Sequence, residues 1–254
     1  MTIVLPPEFT QSVAVFLLVL FRVAAVVSLI PALGESSIPS RVKLSIAVGL
    51  ALVTYPSVMP ALQTLPLEGT AGLQIAAAEV AIGLVLGLML RVFLFCLQIA
   101  GAIAAQSTSL SQILGTAGVD PLPALGHLVT MSGLALAMLL GLHVAAASYL
   151  ISSYAVLPPG QIPGAGMLTD MMVSQVASGF RLAFALAAPF YILSLLYNLT
   201  LGVINRAMPQ LMVAFVGAPV ITAGALILLT VSIPLMVGRW QDTFFTFLQT
   251  MGPW

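Results

Sequence analysis

Two histidines, one cysteine and seven carboxylates are the side chains of this 254-residue chain best suited to holding a metal, attacking a carbonyl or moving a proton. Their spacing fits none of those tasks. His127 and His143 are not in the HExxH arrangement that puts two imidazoles on one helical face, so neither reads as a metal ligand. Cys96 and His127 fall in different segments with no nucleophile signature around either. Alone in an apolar stretch, Cys96 reads as a small filler, and a single cysteine excludes an internal disulfide. Ser132-Gly133 lacks the glycine two residues before the serine that a GxSxG elbow needs, and Asp120 and Asp170 sit in loops rather than facing each other in helices. No P-loop is present. No catalytic, cofactor-binding or metal-binding residue is therefore assigned, and no enzyme activity is expected.

The chemistry that is left is charge placed inside apolar sequence. Arg22 stands in the middle of such a run, where an unpaired charge at mid-bilayer depth costs at least about 2.5–3.5 kcal/mol. Two readings stay open: a structural pair with a carboxylate such as Glu79, or a contact with another subunit or a wet channel wall. Glu79, Gly83 and Gly87 recur every four residues and share one helix face, where the glycines admit a neighbouring backbone. Close packing is the main expectation there, with a proton relay at Glu79 as the minor one. Arg91 lies about 18 Å beyond Glu79 along a straight helix, so the two require different partners.

The densest polar constellation is YNLTLGVINRAMPQLMVAFVGAP, residues 197–219. Asn198, Gly202 and Asn205 fall on one face. Pro209 and Pro219 each remove a helical hydrogen bond and predict two breaks or kinks, with Arg206 and Gln210 placed to satisfy the freed carbonyls. A broken polar helix in apolar surroundings faces protein or water, which marks a place of assembly or passage.

The elements around these residues follow from composition. Hydrophobic residues make up 61% and charged residues 6%, against roughly 45–50% and about 25% in soluble domains. Formal net charge is zero, which leaves no field to attract nucleic acid. Six apolar runs, 11–33, 44–66, 73–99, 124–150, 181–201 and 211–238, are each long enough for a spanning helix and show no period of two, so the fold class is all-α and membrane-type. The first run follows Glu8 with no Lys or Arg before it and is expected to be retained. Arg41 and Lys43 favour a cytoplasmic first loop. Segment 105–123 reads as a long polar loop, and 152–172, with Pro158, Pro159, Gly160, Pro163, Gly164 and Gly166, as a surface linker. Trp240, Phe244, Phe247, Leu248 and Met251 recur at helical spacing, as in an interfacial amphipathic helix or a final packing helix.

Asn198-Leu199, Gly202, Asn205-Arg206, Pro209-Gln210 and the Gly217-Ala218-Pro219 triplet closely resemble the C-terminal signature of the FliR family of flagellar type III export-gate proteins. Phe21-Arg22, Pro31, Pro39, Arg41, the Glu79, Gly83, Gly87 helix and Asp120-Pro121 extend the resemblance over essentially the whole chain. Met212 departs from it where the family often has Asn. Ala218 stands where a larger apolar residue is common, and Leu122 and Pro123 follow the Asp-Pro pair.

The resemblance implies a non-enzymatic, cofactor-free subunit of long, kinked helical hairpins packed into a larger helical assembly. Its partners would be FliP-like and FliQ-like subunits, an FlhB-like switch subunit, membrane lipids and the unfolded rod, hook and filament proteins that cross the gate, with no nucleic acid. It implies a FliP-like region at 1–178, a FliQ-like hairpin at 179–240 and an amphipathic tail at 241–254. It implies a channel plug in 105–123, including Gln106, Ser107, Leu110, Gln112, Ile113, Leu114 and Asp120. Subunit-interface or broken-helix roles would fall to Arg22, Glu79, Gly83, Gly87, Asn198, Gly202, Asn205, Arg206, Pro209, Gln210, Gly217 and Pro219. The expected place is the bacterial inner membrane in the flagellar basal body, with part of the assembly on the periplasmic side. In such a stack, six apolar runs need not be six spans. The alternative is the related SctT-type subunit of a virulence injectisome. A conventional transporter fits less well, because the 197–219 segment has no repeat earlier in the chain.

Overall fold

A computed structural model describes residues 6–67, 69–107, 124–161, 163–207 and 213–251. Seven α-helices and no strand occur among the described residues. Helix α1 runs Pro7–Leu29, α2 Ser40–Leu62, α3 Gly69–Ser107, α4 Ala124–Leu139, α5 Leu142–Val156, α6 Ala165–Ala207 and α7 Val213–Thr250. Proline bounds α1 at both ends and starts α2, which also carries Pro56 and Pro60 in its interior. Pro7 opens α1, where its missing N–H would be unsatisfied anyway. Ile30, at φ −59° and ψ 135°, closes α1 in the extended conformation imposed on a residue before proline, here Pro31. Pro39 caps α2.

The helices depart from the expected runs in three places. The run at 124–150 is two helices, α4 and α5, bent by 75°. The break falls at Gly141, whose φ of 87° lies in the left-handed region open to glycine. Second, the linker expected at 152–172 is shorter, because α5 continues to Val156 and α6 begins at Ala165. Third, α7 runs from Val213 to Thr250, past the expected end at 238. The break expected at Pro209 lies outside the described residues. Among the described residues four helices are long and apolar enough to cross a membrane, Phe9–Leu29, Ser40–Leu62, Gly69–Gln106 and Ala165–Ile204, or five if the bent α4–α5 pair is one span.

The chain divides into two compact units. The first comprises 1–92, 137–176 and 244–254. Its core is the face of α1 bearing Val15, Val19, Val23 and Val26, packed on α2 and on the first half of α3, with Ala47, Ala51, Ile82 and Leu86 buried. Phe16 and Tyr55 meet edge to face at 5.8 Å. Tyr149 of α5 donates to the Leu86 carbonyl and lies against Phe247. Phe244, Phe247 and Leu248 are buried and belong to the last turns of α7.

The second unit comprises 93–136 and 177–243. Here the backbones of α3 and α4 come together at Gly101 and Gly126, where a Cβ on Gly101 would sit 2.6 Å from the Gly126 Cα. Both arms of the α6–α7 pair are tied to α3. Cys96 donates its thiol to the Gly179 carbonyl at 3.1 Å, and Trp240 Nε1 donates to the Phe93 carbonyl at 2.8 Å. Cys96 is thus a buried filler with a backbone partner.

Candidate functional site

The buried charge of the first unit forms one closed network. Arg22 and Glu79 have no exposed surface. Arg22 Nε donates to Glu79 Oε2 at 2.6 Å and Nη2 to Oε1 at 3.0 Å, a two-pronged pairing that matches the flat guanidinium to the flat carboxylate. Nη1 donates to Ser153 Oγ at 3.3 Å and to the Leu157 carbonyl at 3.1 Å. The ring of Tyr154 covers the guanidinium at 3.7 Å, a cation–π contact strengthened by exclusion of water. Glu79 Oε1 also accepts from the Gly160 backbone N–H at 3.2 Å. One ion pair thereby joins α1, α3, α5 and the turn after α5.

Glycine makes this reach possible. A Cβ on Gly83 would meet the Arg22 carbonyl oxygen at 2.5 Å and Ala25 Cβ at 2.7 Å; one on Gly87 would meet Leu29 Cβ at 2.9 Å. Glu79, Gly83 and Gly87 are therefore the face of α3 on which α1 lies, as their spacing predicts. Gly160 takes φ 76° to turn its N–H inward. Arg91 pairs with Glu35 at 3.0 Å, a different carboxylate from Glu79, as helix length requires.

Arg22 and Glu79 satisfy each other inside the chain with zero exposure, and the space over Gly83 and Gly87 is filled by α1. Of the two readings of Arg22, the structural pair is the one realised. Sequence reasoning missed Ser153, Tyr154, the Leu157 carbonyl and Gly160, which complete the network. The turn at Pro158-Pro159-Gly160 signals Gly160 alone, and the Leu157 carbonyl and Gly160 N–H are backbone groups that leave no trace in residue type.

The polar seam of α6 has the opposite character. Asn198, Gly202 and Arg206 are exposed. Asn198 Nδ2 donates to Ser194 Oγ at 3.4 Å, and nothing lies within 4 Å of a Cβ built on Gly202. Around them Tyr191, Leu195, Leu199 and Val203 are 47–70% exposed, apolar surface that needs lipid or another protein. Asn205 lies in the last turn of α6, and Gly217 and Pro219 lie within α7. Pro209 and Gln210 fall outside the described residues.

Of the plug candidates, Gln106 is exposed near the end of α3 and lines a cavity of about 580 Å³ with Ile103, Phe184, Tyr191 and Ser194. Ser107 is the last residue of α3. Leu110, Gln112, Ile113, Leu114 and Asp120 fall outside the described residues. Among the described residues no cluster of His, Cys, Asp and Glu is placed to hold a metal ion.

Comparison with known proteins agrees with this all-helical, apolar design. The chain is 34% identical over 231 residues to the flagellar biosynthetic protein FliR of Caulobacter vibrioides, covering 89% of this chain and 91% of that one. It is 30% identical over 233 residues to FliR of Escherichia coli, covering 89% and 86%, and 29% identical over 238 residues to FliR of Aquifex aeolicus, covering 91% of each. Residues 13–247 match the family model described as bacterial export proteins, family 1, and the chain therefore belongs to the FliR family of bacterial export proteins.

Proposed function

We propose that this chain is a membrane-embedded, non-enzymatic subunit of the flagellar type III export gate, through which unfolded rod, hook and filament proteins leave the cell across the inner membrane. The observation that carries the proposal is family membership across nearly the whole length, 13–247. The chain's own architecture supports it: charge is neutralised internally at Arg22 and Glu79, while α6 presents a broad apolar face with a polar seam at Asn198, Gly202 and Arg206.

A helix whose apolar side chains are mostly uncovered within its own chain, as in α6, calls for lipid or partner helices. FliP-like, FliQ-like and FlhB-like subunits are the partners that the family suggests. The 179–240 hairpin would stand beside the FliQ-like chains and 1–178 among the FliP-like ones. Heterologous contacts that do not close by rotation generate a helical rise, so a distinct subunit that seals the seam suits such an assembly. Segment 105–123, which the α3–α4 crossing at Gly101 and Gly126 brackets, is proposed as the plug on the channel axis. The place proposed is the inner membrane within the flagellar basal body, with part of the assembly on the periplasmic side.

Purification of the tagged chain from its own host in mild detergent tests the assignment. FliP-like and FliQ-like chains should co-purify, and a motility defect should follow deletion. Recovery as a lone protein, from a deletion strain that still swims, would remove the proposal.

A further inference from the structure

In the second unit, Pro189, Ile192 and Leu196 of α6 and Gly224, Ile227 and Val231 of α7 line an open groove of about 430 Å³. Every one of these residues is apolar. A Cβ on Gly224 would meet nothing within 4 Å, so this position is empty space rather than a helix contact.

Residues 189–196 of α6 and 224–231 of α7 share this groove, and an antiparallel pairing of the two arms would bring Arg181 and Arg239 to the same end of it. The tie to α3 agrees: Phe93 and Cys96, one turn apart, hold Trp240 and Gly179 at the same level, next to the two arginines. Arg181 and Arg239 are both exposed. Arg181 Nη2 donates to Ser178 Oγ at 2.8 Å, which orients its guanidinium without neutralising it. Asp242 lies a turn beyond Arg239, and this end of the pair keeps a net positive charge.

The distances suit a lipid. Arg181 stands about 12 Å along the axis from Pro189, and the stretch between Arg181 and Arg206 is about 38 Å long at the helical rise. That matches a hydrocarbon core of about 30 Å with an arginine at each interface. The groove then lies at acyl-chain depth and the arginine pair at phosphate depth. We infer that the α6–α7 groove binds an anionic glycerophospholipid, its phosphate held between Arg181 and Arg239 and one acyl chain seated along Pro189, Ile192, Gly224 and Val231. Guanidinium groups favour this ligand because their donors fork onto two phosphate oxygens, and an anionic headgroup adds charge that a zwitterionic one lacks. This inference rests on placement of α6 in a bilayer and not on the export role.

Native mass spectrometry of the detergent-purified protein, with whatever subunits accompany it, reads the site after exchange into phosphatidylglycerol or phosphatidylcholine. The unmodified protein should retain phosphatidylglycerol over phosphatidylcholine by roughly tenfold. R181Q/R239Q should abolish the preference, R181K/R239K should keep it, and G224L, which puts a side chain in the groove at a position with open space around its Cβ, should lower retention of both lipids. Equal retention by the unmodified protein, no retained lipid because a neighbouring hairpin fills the groove, or a preference that survives R181Q/R239Q would overturn the inference. Undiminished retention by G224L would overturn the groove as the site.

Discussion

Gly83 lies against the backbone of Arg22 so closely that an added Cβ would come within 2.5 Å of the Arg22 carbonyl oxygen. The glycine and the arginine are thus one device: absence of a side chain on α3 lets α1 approach until the guanidinium reaches Glu79, a turn away. Gly83→Val should lower stability by roughly 1–3 kcal/mol through overpacking against backbone that cannot rotate away. Thermal unfolding in detergent reads the loss, and an unchanged midpoint would show that α1 does not sit there.

Removal of one member of the buried pair strands the other. Arg22→Met should cost about 3–5 kcal/mol, because Glu79 loses both guanidinium bonds while buried, whereas Arg22→Met with Glu79→Leu should cost less than either single change. A double-mutant cycle on unfolding midpoints measures this coupling. Strict additivity would mean that the pair contributes nothing as a pair.

Why some of this was readable in the chain and some was not has a physical basis. The Glu79, Gly83, Gly87 spacing marks a close helix contact because only position on the helix and side-chain size are involved. An arginine in an apolar run demands a carboxylate, and Glu79 is a candidate by sign alone. Leu157 contributes a carbonyl and Gly160 an N–H, groups that nearly every residue carries, so sequence offers no way to select them. The break at Gly141 lay hidden because glycine within an apolar run is as consistent with close packing as with a left-handed turn. The length of α6 was underestimated because its first turns, with Thr169, Asp170 and Gln175, are polar enough to read as linker. Gln175 nevertheless donates to the Met89 carbonyl and is buried.

The α3–α4 crossing predicts an asymmetry between two chemically identical substitutions. Alanine gains about 1 kcal/mol over glycine in a helix interior. On Gly126 the new Cβ would stand 3.3 Å from the nearest backbone atom, a small adjustment, but on Gly101 it would stand 2.6 Å from the Gly126 Cα. Gly126→Ala should therefore be close to neutral in thermal unfolding and Gly101→Ala clearly destabilising. Equal effects would argue against the crossing.

If 105–123 is the plug, deletion of residues 106–118 should leave assembly intact and raise ion conductance of the reconstituted gate, since a narrow apolar constriction blocks ions by dewetting. Conductance equal to that of the intact gate would reduce the segment to a connector.

Arg22 and Arg206 carry the same charge in opposite settings, and their replacement should separate fold from assembly. Arg22 is enclosed by four partners, whereas Arg206 stands exposed in the last turn of α6, where a cation complements the helix dipole. Arg206→Ala should change the unfolding midpoint of the isolated chain little, by about 0.5 kcal/mol or less as for ordinary surface changes. Gly202→Ala on the same seam, with open space around its Cβ, should stabilise the isolated helix by roughly 0.5–1 kcal/mol. If the seam of Asn198, Gly202 and Arg206 is where other subunits seat, both variants should nonetheless reduce recovery of partner chains in pull-downs and shrink swimming halos in soft agar. Stability and assembly would then move independently, which no purely structural role for these residues can produce. Undiminished recovery with both variants would place the interface elsewhere on the apolar face of α6.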